Sequence, residues 1–144
     1  MTVRAVLDQV NVVVVDMEAM AEFYGRLGLE LRSGLPQWAP HHRQTERENA
    51  GVHLALDSRQ FAAMWNQGWR GEGGIVLGFR VPSRDDVDGL YDELTSAGYS
   101  GQQAPYDAFW GARYAVVSDP DGNSVGLMSP TDAAFQLPPP TTPD

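Results

Sequence analysis

The sequence matches itself at an offset of 67 residues, and few folds can satisfy that constraint. Residues 7–15, Leu-Asp-Gln-Val-Asn-Val-Val-Val-Val, are rich in β-branched side chains and read as a buried strand. Asp16 follows as a helix N-cap. Met20, Phe23, Tyr24 and Leu27 then fall at the i, i+3, i+4, i+7 spacing of one apolar helix face, with Gly28 as the stop. Leu29 to Arg32 reads as the next strand. The second copy runs from a strand at Ile75–Val81 to an N-cap at Ser83, where Ser83-x-x-Asp86 has the form of a capping box. Val87, Leu90, Tyr91 and Leu94 repeat the apolar face, each 67 positions after its partner, and this helix runs on to Gly98. Asp85, Asp88, Asp92 and Glu93 fall off that face and form a solvated surface.

Each copy ends in further strands. In the first, Gly51 to Leu56 is the clearest. In the second, Gln102–Ala108, Ala112–Ser118 and Asn123–Met128 follow in order, the last two joined by a tight Asp119-Pro-Asp-Gly122 turn. The chain therefore divides into a βαβββ module at 5–57, a linker at 58–73 that opens with a short helix, and a second βαβββ module at 74–130. A proline-rich tail at 131–144 should be extended or disordered and untethered.

Composition narrows the function. A formal net charge of −9 argues against nucleic acid, whose phosphates need a basic surface. With no cysteine, disulfides, thiolate nucleophiles and zinc–thiolate sites are excluded, which suits a reducing cytosol. No apolar run is long enough for a transmembrane helix, and the start shows no apolar signal region, so a cytoplasmic protein without a membrane partner is expected.

Paired βαβββ units, the segment Trp110-Gly-Ala-Arg-Tyr-Ala-Val-Val-Ser-Asp-Pro-Asp-Gly-Asn-Ser-Val-Gly-Leu127, and the opening strand, Asp16, Phe23-Tyr24 and Leu27-Gly28 together resemble the vicinal oxygen chelate superfamily, the group of glyoxalases, extradiol dioxygenases and bleomycin-resistance proteins. The resemblance implies an α+β fold in which two modules form curved mixed sheets around a shared cleft. It also implies a homodimer. In the superfamily's metalloenzymes the first and fourth strands of each module supply His, Gln and Glu ligands. Here those positions hold Gln9, His53, Val76 and Gly126. Valine has no donor and glycine no side chain, so no metal is expected. A divalent Zn, Fe, Mn or Ni would need further donors, with His41 and His42 the only obvious reserve. Adjacent residues on a strand point to opposite faces, so both histidines serving one ion is disfavoured.

Strand alternation describes the cleft. If Gln9 faces it, so do Asn11 and Val13, and the same rule brings His53 with Gly51 and Ala55, Val76 with Gly74 and Gly78, and Gly126 with Ser124 and Met128. The alternate rows, such as Val10, Val12, Val14 and Ile75, Leu77, Phe79, are bulky, as a face under helices should be. Glycines in the concave rows are expected to leave open volume. Trp38, Trp65, Trp69, Tyr106, Phe109 and Trp110 can supply flat walls for a planar or cationic ligand. The ligand-contacting set is therefore Asn11, Trp38, His53, Trp65, Gly78, Phe109, Trp110 and Met128. Gly122-Asn-Ser124-Val-Gly126 has the form of a nucleophile elbow, but that motif leads from a strand into a helix, whereas here a turn leads into a strand. Gly71-Glu-Gly-Gly74 lacks the Lys-Ser/Thr of a phosphate loop.

These readings favour a protein that holds a small organic molecule without a tightly bound metal, with drug sequestration as one form of that role. The alternative is a lyase, isomerase or dioxygenase of the same superfamily, metal-dependent in its usual form. A metal-free version would use His53 as general base.

Overall fold

The computed structural model describes residues 3–26, 29–46, 52–71, 74–119 and 122–144. In chain order the elements are β1 (Val6–Val14), α1 (Met17–Arg26), β2 (His42–Gln44), β3 (His53–Ser58), α2 (Arg59–Trp65), β4 (Ile75–Arg80), α3 (Arg84–Ser96), β5 (Gly101–Asp107), β6 (Arg113–Ser118) and β7 (Ser124–Met128). Short 3-10 turns cover Pro36–Trp38 and Ala133–Phe135. The strands form one mixed sheet in the order β2-β3-β1-β4-β7-β6-β5, which makes the architecture α+β.

The repeat is visible in the register. β1 and β4 pair antiparallel, with Val10 directly opposite Leu77, its own repeat partner. An approximate two-fold axis therefore passes between these residues. On either side β1 pairs parallel with β3, and β4 pairs parallel with β7. A parallel pair needs a crossover, and each half supplies one that contains a helix.

Local chemistry fixes the helix starts. The Asp16 carboxylate accepts from the Ala19 amide at 3.0 Å. Ser58 Oγ accepts from Phe61 N–H at 3.1 Å. Ser83 Oγ accepts from Asp86 N–H at 3.2 Å and donates to the Asp86 carboxylate at 2.7 Å. Each cap satisfies an amide that the helix itself leaves unpaired. At the last turn, Gly122 N–H reaches Asp119 O at 2.9 Å, and Gly122 takes a φ of 89°, a conformation that favours glycine. The expected stop at Gly28, the side chain of Phe23, and Leu27, Gly51, Pro120 and Asp121 lie outside the described residues.

Some expectations change. Leu29–Arg32 is not a strand; only Arg32 bridges to Gln44. Leu29 and Glu30 are exposed, and Leu31 packs this stretch against the sheet beside that bridge. The edge is instead β2, which pairs with β3 and sets His42 opposite Asp57. β3 itself begins at His53 and continues to Ser58. The tail is extended beyond Phe135, but its first part is tied down. Asp132 N–H bonds Gly111 O at 3.1 Å, Leu137 N–H bonds Phe109 O at 2.9 Å, and the Arg84 guanidinium sits 3.8 Å from the Phe135 ring centre.

The alternation sorts the sheet's faces. On one, Val14 and Leu56 pack with α1, and Leu127 and Ala115 pack with Val87 and Leu90 of α3. Ile75 and Leu77, on the same side between the helices, stay exposed. The other face carries a separate aromatic cluster. Among the described residues no helix is long and apolar enough to cross a membrane.

Two glycines test this packing in opposite directions. A Cβ on Gly68 would lie 2.1 Å from the Gln102 carbonyl oxygen, whereas one on Gly89, within α3, would meet nothing within 4 Å. Gly68→Ala should therefore lower stability by about 1–3 kcal/mol as an overpacked contact. Gly89→Ala should raise it by about 0.5–1 kcal/mol through helix propensity. Thermal and urea melts of both variants check this, and equal shifts of the same sign would contradict the close approach at Gly68.

Candidate functional site

The aromatic face lines a partly open cavity of about 310 Å³. One side of it is polar, and its centre is Asp57, only 1% exposed at the end of β3. Asn11 Nδ2 donates to Asp57 Oδ2 at 2.6 Å, and Gln9 Nε2 donates to Asn11 Oδ1 at 2.9 Å. His42 Nδ1 lies 2.5 Å from the other carboxylate oxygen. A carboxylate only accepts, so Nδ1 carries the proton, and Nε2 is left beside Gln44 Oε1 at 3.3 Å. Strand geometry makes the chain of contacts possible. Gln9 and Asn11 are two apart on β1, Asp57 shares their face from β3, and His42 is the residue opposite Asp57 on β2.

A carboxylate this deeply buried is costly unless it is paired. Burial also disfavours the charged form of His42, but attraction to Asp57 and hydrogen bonds to Asp57 and Gln44 outweigh it. The net effect raises the His42 pKa above the ordinary histidine value.

The remaining wall is aromatic. Trp38 meets Phe61 at 5.0 Å between ring centres and Phe109 at 5.7 Å, and Phe109 meets Trp110 at 5.3 Å. Tyr114 is held edge-on by Trp65 at 6.0 Å, Tyr106 at 6.1 Å and Trp110 at 5.7 Å. These separations and tilts are those that aromatic pairs prefer.

Of the residues expected to touch a ligand, Asn11, Trp38, Trp65, Phe109, Trp110 and Met128 line this cavity; His53 and Gly78 do not. His53 is buried, with Nδ1 3.2 Å from Thr45 O and 3.3 Å from Thr45 Oγ1. The imidazole that faces the cavity belongs to His42. Nor do the concave glycines leave open volume. A Cβ on Gly78 would meet Gln9 Cγ at 2.7 Å, and one on Gly126 would meet the Tyr114 hydroxyl at 2.6 Å. These side chains already fill the space above the two glycines. Trp38 and Trp65 are buried within the cavity wall.

Asp57, Phe61 and Tyr114 also line the cavity, with Ser33, Gly34, Leu35, Gln44 and Thr131, and none of these was singled out in the sequence. Asp57 could have been, because it continues the concave row His53, Ala55 by the same period of two. Tyr114 stands within an apolar strand and carries no local signal of its own.

The metal-equivalent positions come together only in part. Gln9 pairs with both His53 and Gly78, but Val76 pairs with Ser124, while Gly126 pairs with Gly78. The register thus gives Ser124, not Gly126, the place that His53 holds in the first half. Ser124 Oγ is engaged with Gln102 Oε1 at 2.8 Å. One imidazole, one neutral amide, a valine and a committed hydroxyl do not fit a divalent ion. Among the described residues no three His, Asp or Glu side chains group as metal ligands.

Comparison with known proteins places the fold. No curated protein matches the sequence. The NAD-dependent benzaldehyde dehydrogenase from Legionella pneumophila is 20% identical with a TM-score of 0.61, over 84% of this chain and 96% of that one. A glyoxalase/bleomycin resistance protein/dioxygenase superfamily member from Vibrio splendidus 12B01 is 17% identical with a TM-score of 0.56, over 89% of this chain and 98% of that one. The Mn(II)-bound glyoxalase from Novosphingobium aromaticivorans is 20% identical with a TM-score of 0.57; the match covers 89% of this chain but 39% of that one. At such identities the likeness is one of fold alone. The family model for the Glyoxalase/Bleomycin resistance protein/Dioxygenase superfamily, however, matches residues 6–127, nearly all of both modules, and the chain belongs to that superfamily.

Proposed function

We propose that this chain binds a small, flat organic molecule in the cavity between its two halves, without a tightly held metal ion. The observation that carries the reading is the pairing of an aromatic wall with a buried polar chain, Gln9–Asn11–Asp57–His42, around one cavity. Sites of this volume and composition are typical of small-molecule pockets, in which apolar walls give affinity and a few fixed polar groups give orientation. The poor ligand set at the metal-equivalent positions supports the metal-free part. Drug sequestration in the manner of bleomycin-resistance proteins is one role such a pocket can serve.

The His42–Asp57 pair favours a second reading, in which the bound molecule is also turned over by proton transfer. His42 Nε2 would then act as general base, and Asp57 would fix its tautomer and orientation. Turnover that persists in excess chelator but disappears in His42→Gln would establish this reading. Chelator-sensitive turnover would overturn it.

Trp110 is half-buried between Phe109 and Tyr114 on the cavity wall. Losing a stacked aromatic costs roughly 1–3 kcal/mol, so Trp110→Ala should weaken binding of planar aromatic compounds by about tenfold or more while the chain stays folded. Fluorescence titration with circular dichroism as a folding control checks this; unchanged affinity in a folded variant refutes it. The His42–Asp57 pair predicts a pH signature. Because the folded pKa of His42 is raised, the pair's contribution to stability is complete below about pH 6.5 and is lost as pH rises through the folded value. The gap in melting temperature between the wild type and His42→Gln should shrink over that window. A gap that stays constant through it would show that the pair adds no pH-dependent stability.

A further inference from the structure

We propose that the cavity selects planar ligands bearing a neutral carbonyl oxygen, which accepts a hydrogen bond from the Tyr114 hydroxyl. This rests on the reading of the cavity as a small-molecule site. Tyr114 is 6% exposed and lines the cavity. Three rings clamp it edge-on, so its phenol has a fixed position. The hydroxyl sits over Gly126, where a side chain would collide with it, and Gly126 pairs in register with Gly78, which makes room for Gln9. Two adjacent glycines thus let one phenol and one amide lie side by side on the floor.

Gln9, Asn11, Asp57 and His42 are hydrogen-bonded to one another, but among the described residues none bonds the Tyr114 hydroxyl. Nor is that oxygen among the side-chain atoms sealed from solvent without a partner. It therefore keeps its access to the cavity. A donor held at a fixed place and open to the cavity is free to bond an acceptor on a ligand that enters.

The electrostatics decide which acceptor. Burial, then the charges of Tyr106 and Asp57, hold the Tyr114 pKa well above the ordinary tyrosine value, so the phenol remains a donor. Asp57 bears on the same spot, and above the raised pKa of His42 no cation among the lining residues offsets it. A carboxylate or phenolate would meet that field unfavourably; a ketone, aldehyde or quinone oxygen would not. The aromatic wall supplies the planarity requirement.

The test uses three probes of one shape on the full chain: 2-acetylnaphthalene, 2-isopropylnaphthalene and 2-naphthoate, titrated by tryptophan fluorescence. Tyr114→Phe removes only the hydroxyl. The ratio of ketone to hydrocarbon affinity should fall by about tenfold from wild type to Tyr114→Phe, with hydrocarbon binding unchanged. In the wild type the naphthoate should bind more weakly than the ketone. A ratio that Tyr114→Phe leaves unchanged, or tighter binding of naphthoate than of ketone, would overturn the assignment while the cavity reading stands. If none of the three binds saturably, both readings fail. Should Tyr114→Phe not fold, the infrared carbonyl stretch of the ketone bound to wild type decides: a shift below its value in alkane supports the hydrogen bond, and no shift overturns it.

Discussion

The structure depends on the antiparallel pairing of β1 with β4. It joins two halves that would otherwise each expose a sheet edge, and it does so at the one register that sets Val10 against its repeat partner Leu77. From that contact the rest follows by alternation. The odd positions of β1 face the cavity and the even ones face the helices, and the parallel partners β3 and β7 inherit the same sorting. A slip of one residue would send Gln9 and Asn11 to the helix side and dismantle the polar chain.

Within that frame the two halves have diverged in chemistry. The first supplies the buried polar residues, with Asp57 at the centre held by Asn11 and His42. The second supplies Phe109, Trp110 and Tyr114, and the connecting helix adds Phe61 and Trp65. A cavity that is apolar on one side and hydrogen-bonding on the other imposes orientation as well as affinity on whatever enters it. The superfamily's metalloenzymes obtain orientation from an ion. At the positions that the resemblance assigns to metal ligands this chain carries Gln9, His53, Val76 and Gly126, of which only the first two have side-chain donors.

Much of the architecture was legible in the sequence because it rests on local rules. The caps at Asp16 and Ser83, the apolar helix face through Val87 and Leu90, and the period of two along β1 and β3 all act over a few residues. The same period identified Asn11 and Met128 as cavity residues, and the loop aromatics Phe109 and Trp110 were visible as unplaced rings. What escaped was long-range. That His42 meets Asp57 depends on a three-residue edge strand whose pairing no local pattern announces. That Gly78 and Gly126 are filled rather than open depends on Gln9 and Tyr114 reaching across from neighbouring strands. Within the sheet it is Ser124 that pairs with Val76 as His53 pairs with Gln9, and only the ladder shows this.

The segment after β7 crosses the Phe109–Gly111 turn, and it holds that turn through backbone atoms: Asp132 N–H to Gly111 O and Leu137 N–H to Phe109 O. Main-chain bonds of this kind are indifferent to the side chains they connect. The ring at position 110 can therefore change while the strap keeps the wall in place, and residues along the strap can change while the ring keeps its station. Such decoupling lets a binding surface drift towards new ligands by single substitutions without unpicking the scaffold, an economy of mutation that fits a fold shared by glyoxalases, dioxygenases and resistance proteins alike.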